Sequence, residues 1–202
     1  MLMGSYEKEL YPIIEEILAE PPKVFIDIGA AQGYFAIGFA KCAPASRHIG
    51  FELFEPSVAQ LKRTAAANGV FVDVRGECTT ELLNDVLEDR SFVMCDVEGY
   101  EIELIDPVKS PLLKTATMIV ETHERVFGGY TLEDLVERFK ATHSIRVIES
   151  RKRTYEDLPF RIKDPWTLKE VDEKRSGPQS WLFLKPLEAM ASRRSDAFLE
   201  QQ

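Results

Sequence analysis

The chain has 202 residues, 45% of them hydrophobic and 29% charged, which supplies enough apolar side chain for one core and excludes global disorder. Its 25 Lys and Arg against 34 Asp and Glu leave a formal charge of -9, so the chain as a whole repels phosphate backbones and nucleic acid is excluded as a main partner. Cys42, Cys78 and Cys95 form no CxxC pair, the opening segment lacks the layout of a signal peptide, and no apolar run reaches the roughly 18 residues of a membrane span; the expectation is a soluble cytoplasmic protein without a membrane partner.

Leu10, Ile13, Ile14, Ile17 and Leu18 recur at helical spacing, predicting an opening helix over residues 6 to 19 that Pro21 and Pro22 stop. Residues 24 to 29, VFIDIG, read as a fully buried strand, and YFAIGFAKC (34 to 42) as a mostly buried helix after a glycine-containing turn. The alternation then repeats. Strands are predicted at 48 to 53, 70 to 74, 91 to 96, 117 to 122 and 145 to 149. Between them fall helices over 56 to 67, with Pro56 in the first turn, over 80 to 88, with Thr79 or Thr80 as cap, and over the short YEIELI; TLEDLVERFKAT (131 to 142) opens with a capping box of Thr131 and Asp134. SWLFLK (180 to 185) makes a seventh strand with no helix to precede it, hence one expected to run antiparallel beside the sixth. The fold class is α/β, a doubly wound, mostly parallel seven-stranded sheet over residues 1 to 186, whose ligands bind beyond the carboxyl ends of the strands. Residues 151 to 178 break the rhythm and, with Tyr155, Phe160 and Trp166, read as a lid; 187 to 202 read as a tail.

In V24-F25-I26-D27-I28-G29-A30-A31-Q32-G33-Y34, a carboxylate and small residues at the end of a buried strand let the backbone pass close to a ligand, while the following helix offers its amino-terminal dipole. The spacing is not the Gly-x-Gly-x-x-Gly of a dinucleotide pyrophosphate site, so an adenosyl cofactor without phosphate fits better. Asp27, Gly29, Ala30, Gly33 and Tyr34 are the candidate contacts, Asp27 toward an amine. Glu52, 25 residues beyond Asp27, stands where a carboxylate accepts ribose hydroxyls, with Glu55 as its rival; Glu77 and Cys78 fall where an adenine would sit. A second cluster, Asp96 and Glu98 after the fourth strand and Glu121 and His123 after the fifth, should converge over the crevice as acid, base and orienting groups. Glu101 and Glu124 read as a helix-surface charge and a solvated loop residue. The same donors suit a divalent ion, but no ligand spacing supports one and no metal is assigned. Residues 138 to 175 carry 11 Lys and Arg against 7 Asp and Glu, a net +4 that leaves -13 on the rest, an asymmetry suited to drawing an anionic substrate toward one lip of the site.

Over roughly residues 7 to 185 the chain resembles the class I S-adenosylmethionine-dependent methyltransferases, and more narrowly the FkbM-type family. The resemblance is carried by VFIDIGAAQGYFA, by GFE at 50 to 52, and by D96-V97-E98-G99-Y100-E101 followed by M118-I119-V120-E121. It differs in three places: Glu52 precedes Leu53 and the Glu-Pro pair comes at 55 and 56, Gln32 replaces the usual Asn, and DPVKS follows Ile105 in place of Lys-Gly. The resemblance implies S-adenosyl-L-methionine as cofactor, held by Asp27, Gly29, Ala30, Gly33, Tyr34, Glu52, Glu77 and Asp96, and in-line methyl transfer to a small-molecule hydroxyl acceptor. Glu121 or His123 is then the base, with Asp96 or Glu98 orienting cofactor and acceptor. A catalytically silent adenosyl-binding module and a nicotinamide-dependent oxidoreductase are the rival readings; oligomeric state is left open.

Overall fold

A computed structural model of the chain describes residues 5–123, 131–158 and 179–187. After a 3₁₀ turn at Lys8–Leu10 come α1 (Tyr11–Ala19), β1 (Val24–Ile28), α2 (Tyr34–Cys42), β2 (Arg47–Phe51), α3 (Glu55–Ala67), β3 (Asp73–Arg75) and α4 (Thr80–Val86). Then follow β4 (Phe92–Cys95), α5 (Glu101–Leu104), β5 (Thr117–Thr122), α6 (Thr131–Phe139), β6 (His143–Glu149) and β7 (Ser180–Pro186). One seven-stranded sheet has the order β3-β2-β1-β4-β5-β7-β6. The first five strands in that order are parallel, and β7 lies antiparallel between β5 and β6, as expected of a strand with no crossover helix before it.

The sheet divides two apolar layers. Alternate residues of the strands face Leu83, Val86, Ile102, Leu135 and Phe139 of α4, α5 and α6, and the residues between them face α1, α2 and α3. On the second face Phe25 stacks between Phe39 (ring centroids 4.3 Å) and Phe92 (5.1 Å), which locks α2 onto β1 and β4. Such ring pairs add about 0.5–1.5 kcal/mol beyond the burial of their area. The strand order reverses between β1 and β4, and ligand crevices open at that point on the carboxyl side of the sheet.

Several boundaries differ from expectation. β3 is Asp73–Arg75, not 70 to 74, because the N–H of Val70 still donates to the carbonyl of Ala65 at the end of α3 and Phe71 points into solvent. Thr79 caps α4 as expected, its hydroxyl accepting from the N–H of Leu82. Thr131 is the first residue of α6, and its hydroxyl bonds both the N–H and the carbonyl of His123 at 2.9 and 3.0 Å, so that it staples α6 to the end of β5. Of residues 151 to 178, the described part is held down: Arg153 pairs with Glu9 at 2.5 Å, both side chains buried, and Lys8 donates to the carbonyl of Asp157 at 2.7 Å. The rest of the expected lid, with Phe160 and Trp166, and the tail beyond 187 lie outside the described residues. Among the described residues no helix is long and apolar enough to cross a membrane.

Gly29 carries the clearest sequence requirement. Its φ is +83°, and a Cβ there would lie 1.7 Å from the carbonyl oxygen of Asp96, because the β1 and β4 turns are packed together by the bond from the N–H of Asp96 to the carbonyl of Ile28. Gly29→Ala is therefore expected to destabilise the fold by roughly 2–6 kcal/mol, the summed cost of strained backbone and overpacking. A denaturant midpoint unchanged from the parent protein would refute that account.

Candidate functional site

At the switch point the glycine turn, the end of β2 and the β4–α5 turn meet. Asp27 is 4% exposed, and its Oδ2 accepts from the N–H of Ala36 in the first turn of α2 at 3.0 Å. One backbone donor does not replace bulk water, so burial, opposed by that bond and reinforced by the nearby Asp96 and Glu52 carboxylates, raises its carboxyl to about 7. Gly33 opens α2 with φ +86°; a Cβ there would meet Leu61 at 2.8 Å, so this glycine serves close packing of α2 on α3 as well as the turn. Ala31 between them also has positive φ, 46°.

Glu52, at the end of β2, reaches into the same turn: its Oε2 accepts from the N–H of Ala31 at 2.8 Å and its Oε1 from the N–H of Phe54 at 2.7 Å. The carboxylate is thereby fixed beside the glycine turn with lone pairs to spare. Glu55 is the exposed first residue of α3. Glu77 is exposed in the turn between β3 and α4, and Cys78 packs against the core. The crevice itself is lined by Tyr6, Asp27, Gly29, Tyr34, Asp96 and Trp181 among others. A larger hollow of about 550 Å³ lies at the opposite, amino-terminal end of the sheet, walled by Pro21, Pro22, Phe92 and Thr117. It is remote from the converging carboxylates and from the end at which such sheets bind ligands.

The β4–α5 turn places the second cluster. Glu98 and Gly99 both have positive φ, 54° and 109°, and reverse the chain so that Glu98 comes back toward β5. Glu101 is the main correction to the sequence reading: it is 0% exposed, not a helix-surface charge. Its Oε1 accepts from the N–H groups of Val97 and Gly99 and from Nδ1 of His123 at 2.8 Å. Burial would raise Glu101, but these bonds, His123 first, hold it below its ordinary value. An ionised Glu101 can only accept, so Nδ1 of His123 carries the hydrogen and Nε2 faces outward. There Nε2 meets Glu98 Oε2 at 3.6 Å, Asp96 Oδ1 at 3.8 Å and Glu121 Oε2 at 3.9 Å, distances too long for hydrogen bonds. Burial depresses the imidazole, yet Glu101, Asp96 and Glu98 outweigh it and the net shift is upward. Asp96 is raised, chiefly by burial, against a bond to Glu121 that lowers it.

The expected convergence of Asp96, Glu98, Glu121 and His123 is thus met in space. Trp181 is a further site residue: it pairs directly with Glu121 across β5 and β7, is 1% exposed, and its indole N–H, buried at the crevice wall, has no partner among the described residues. Tyr6 is another, its ring edge-on to Tyr34 at 5.0 Å above the glycine turn. Glu101 was legible in principle, since it lies five residues beyond Asp96 within the same turn; Trp181 and Tyr6 are joined to the site only by pairing across long stretches of chain.

No protein-family model matches the chain, and no curated protein is significantly similar to it in sequence. Its fold, however, matches solved structures. A precorrin-6y C5,15-methyltransferase from Geobacter metallireducens superposes with a TM-score of 0.58 over 88% of this chain and 87% of that one at 14% identity. A putative O-methyltransferase from Klebsiella pneumoniae gives 0.54 over 89% and 80% at 10% identity, and a ribosomal protein L11 methylase from Lactobacillus delbrueckii subsp. bulgaricus 0.53 over 89% and 77% at 16%. The chain has the Rossmann-like fold that these methyltransferases share.

Proposed function

We propose that the protein is an S-adenosylmethionine-dependent methyltransferase of FkbM type that acts on a hydroxyl of a small molecule. The observation that carries this reading is the convergence, on one crevice of a methyltransferase-like sheet, of a phosphate-free glycine turn with Asp27 and Glu52 and of the Asp96–Glu98–Glu121–His123 cluster. A nicotinamide cofactor would want a cluster of glycines for its pyrophosphate that this turn lacks. The FkbM assignment rests on the DxEGxE stretch, whose spacing gains a physical reason: Glu101 organises the turn that carries Asp96 and Glu98, and it orients His123.

In this reading Asp27 faces the cofactor's amine, Glu52 accepts from the ribose hydroxyls, and Gly29 to Tyr34 pass beneath the cofactor. An acceptor oxygen attacks the methyl carbon in line with the carbon–sulfur bond, the C–S pair returns to sulfur, and S-adenosylhomocysteine leaves. The hydroxyl proton goes to the cluster, with Glu121 or His123 receiving it. Alignment is the main contribution, and in well-oriented systems it removes roughly 7–11 kcal/mol of barrier.

Calorimetric titration with S-adenosylmethionine, S-adenosylhomocysteine and NAD tests the cofactor. Micromolar binding of the first two, none of NAD, and at least a tenfold loss in Glu52→Ala are expected. Binding of NAD alone, or of nothing, overturns the reading.

A further inference from the structure

One imidazole, His123, stands among the carboxylates of Asp96, Glu98 and Glu101. Among the described residues every ion pair of Asp96, Glu98 and Glu101 is with His123. Two buried atoms that face each other, Oδ1 of Asp96 and Nε2 of His123, have no hydrogen-bond partner among the described residues. The His123 side chain is only 10% exposed.

We propose that Asp96, Glu98 and His123 form a binding site for a divalent cation of the Mn²⁺ type. One ligand atom from each of the three lies within 4.8 Å of the others. Metal–ligand bonds of roughly 2.1–2.2 Å in an octahedron put adjacent ligand atoms about 3.0–3.1 Å apart, so the 3.6 and 3.8 Å separations of Glu98 and Asp96 from Nε2 must close by about 0.5–0.8 Å to complete the set. Glu98, whose side chain is 85% exposed, and Asp96, whose side chain is 32% exposed, supply that movement. The Nδ1–H bond to Glu101 is the outer-shell contact that metal-bound histidines ordinarily make; it fixes the tautomer and leaves the Nε2 lone pair for the ion. Two carboxylate oxygens with one imidazole favour Mn²⁺ over Mg²⁺, which suits an all-oxygen shell, and the nearby Cys95 thiol packs in the core and offers no soft ligand. Glu98 with positive φ is then a functional strain: it aims the third ligand back over the ring. Asp96, one of the three ligands, also lines the crevice and joins the ion site to it. Resting on the methyltransferase reading, this adds an acceptor preference: molecules that present two adjacent oxygens, such as vicinal diols, would chelate the ion.

The test is Mn²⁺ titration of the cofactor-free full chain, followed by electron paramagnetic resonance of free Mn²⁺, with S-adenosylmethionine titrated separately. One saturable Mn²⁺ per chain is expected, weakened at least tenfold in Asp96→Asn, His123→Ala and Glu98→Gln, and unchanged in Glu137→Gln on the surface of α6. Glu98→Gln alters an exposed side chain and keeps the test decisive where a buried variant fails to fold. The absence of saturable binding, or binding that all three variants retain, overturns the site. Mn²⁺ binding without S-adenosylmethionine binding supports the ion site and sinks the methyltransferase reading; the reverse pattern sinks the ion site alone.

Discussion

His123→Ala is expected to lower methyl transfer to an identified acceptor by roughly 10²–10⁴-fold, the usual worth of a positioned proton-transfer group. Binding of S-adenosylmethionine should stay within about threefold of the parent protein, a change below 1 kcal/mol. The separation is expected because the cofactor is assigned to the glycine turn and Glu52, whereas His123 stands beside Asp96 and Glu121. Its Nε2 must be free of a proton either to receive one from the acceptor or, where it holds a cation and Glu121 takes the acceptor's proton instead, to offer its lone pair to the ion. Turnover should therefore rise with pH through the His123 pKa, which lies above its ordinary 6.5 because Glu101 and the neighbouring carboxylates outweigh burial. Glu101→Gln separates a positioning role from a merely structural one. The amide still accepts from the backbone of the turn but no longer attracts the imidazolium, so the rising limb should move to lower pH. A profile that does not move, in a variant that folds, would remove Glu101 from the mechanism. Full turnover in His123→Ala would remove His123.

The parts of the fold that were legible are those in which local pattern and tertiary environment agree. β1 reads as buried because VFID, flanked by Pro22 and a glycine turn, has all its residues buried in fact. The antiparallel seventh strand followed from the lack of a helix ahead of it. β3 lies later than its pattern because VFVDV looks like a strand throughout, whereas only the residues opposite Ile49, Gly50 and Phe51 find partners. Propensity cannot tell an apolar residue in a ladder from Phe71, which is 80% exposed. Glu101 departs from its pattern for a related reason: Glu101 and Glu103 in a four-residue helix resemble a solvated first turn, and only the reversal at Glu98 and Gly99 shows that one of them points inward. Asp96, Glu98, Glu121 and His123 were recoverable because strand ends in a parallel sheet converge by topology alone. The Trp181 indole was not, since its place opposite Glu121 depends on a strand pairing across about sixty residues of chain.

The largest pH-dependent stability effect is expected at Asp27. A buried carboxyl raised from 3.8 to about 7 means that the folded, cofactor-free protein favours the neutral acid. Such a group contributes stability that is fully present below its unfolded pKa and is lost as pH rises to its folded one; the window is therefore about pH 4 to 7, and the loss approaches about 4 kcal/mol. Asp27→Asn keeps an acceptor for the N–H of Ala36 and has no charge to bury. The variant's melting temperature should gain on the parent's across that window, by an amount of order 10 °C near neutrality for a chain of this size, and stay level above it. Cofactor binding should move the other way. An amine beside Asp27 favours the ionised form, so S-adenosylmethionine should bind the parent protein more tightly as pH rises through about 7. The variant, lacking a charge-assisted bond, should bind roughly 10- to 100-fold more weakly with a flat profile. Thermal melts and titrations at pH 5 and 8 read both effects. Parallel melting profiles would mean that the carboxylate is accommodated by the fold without cost, and equal affinities would mean that the cofactor's amine is held elsewhere. The opposed outcomes expected here, a variant more stable and less able to bind, are what distinguish a carboxylate kept for a ligand from one kept for the fold.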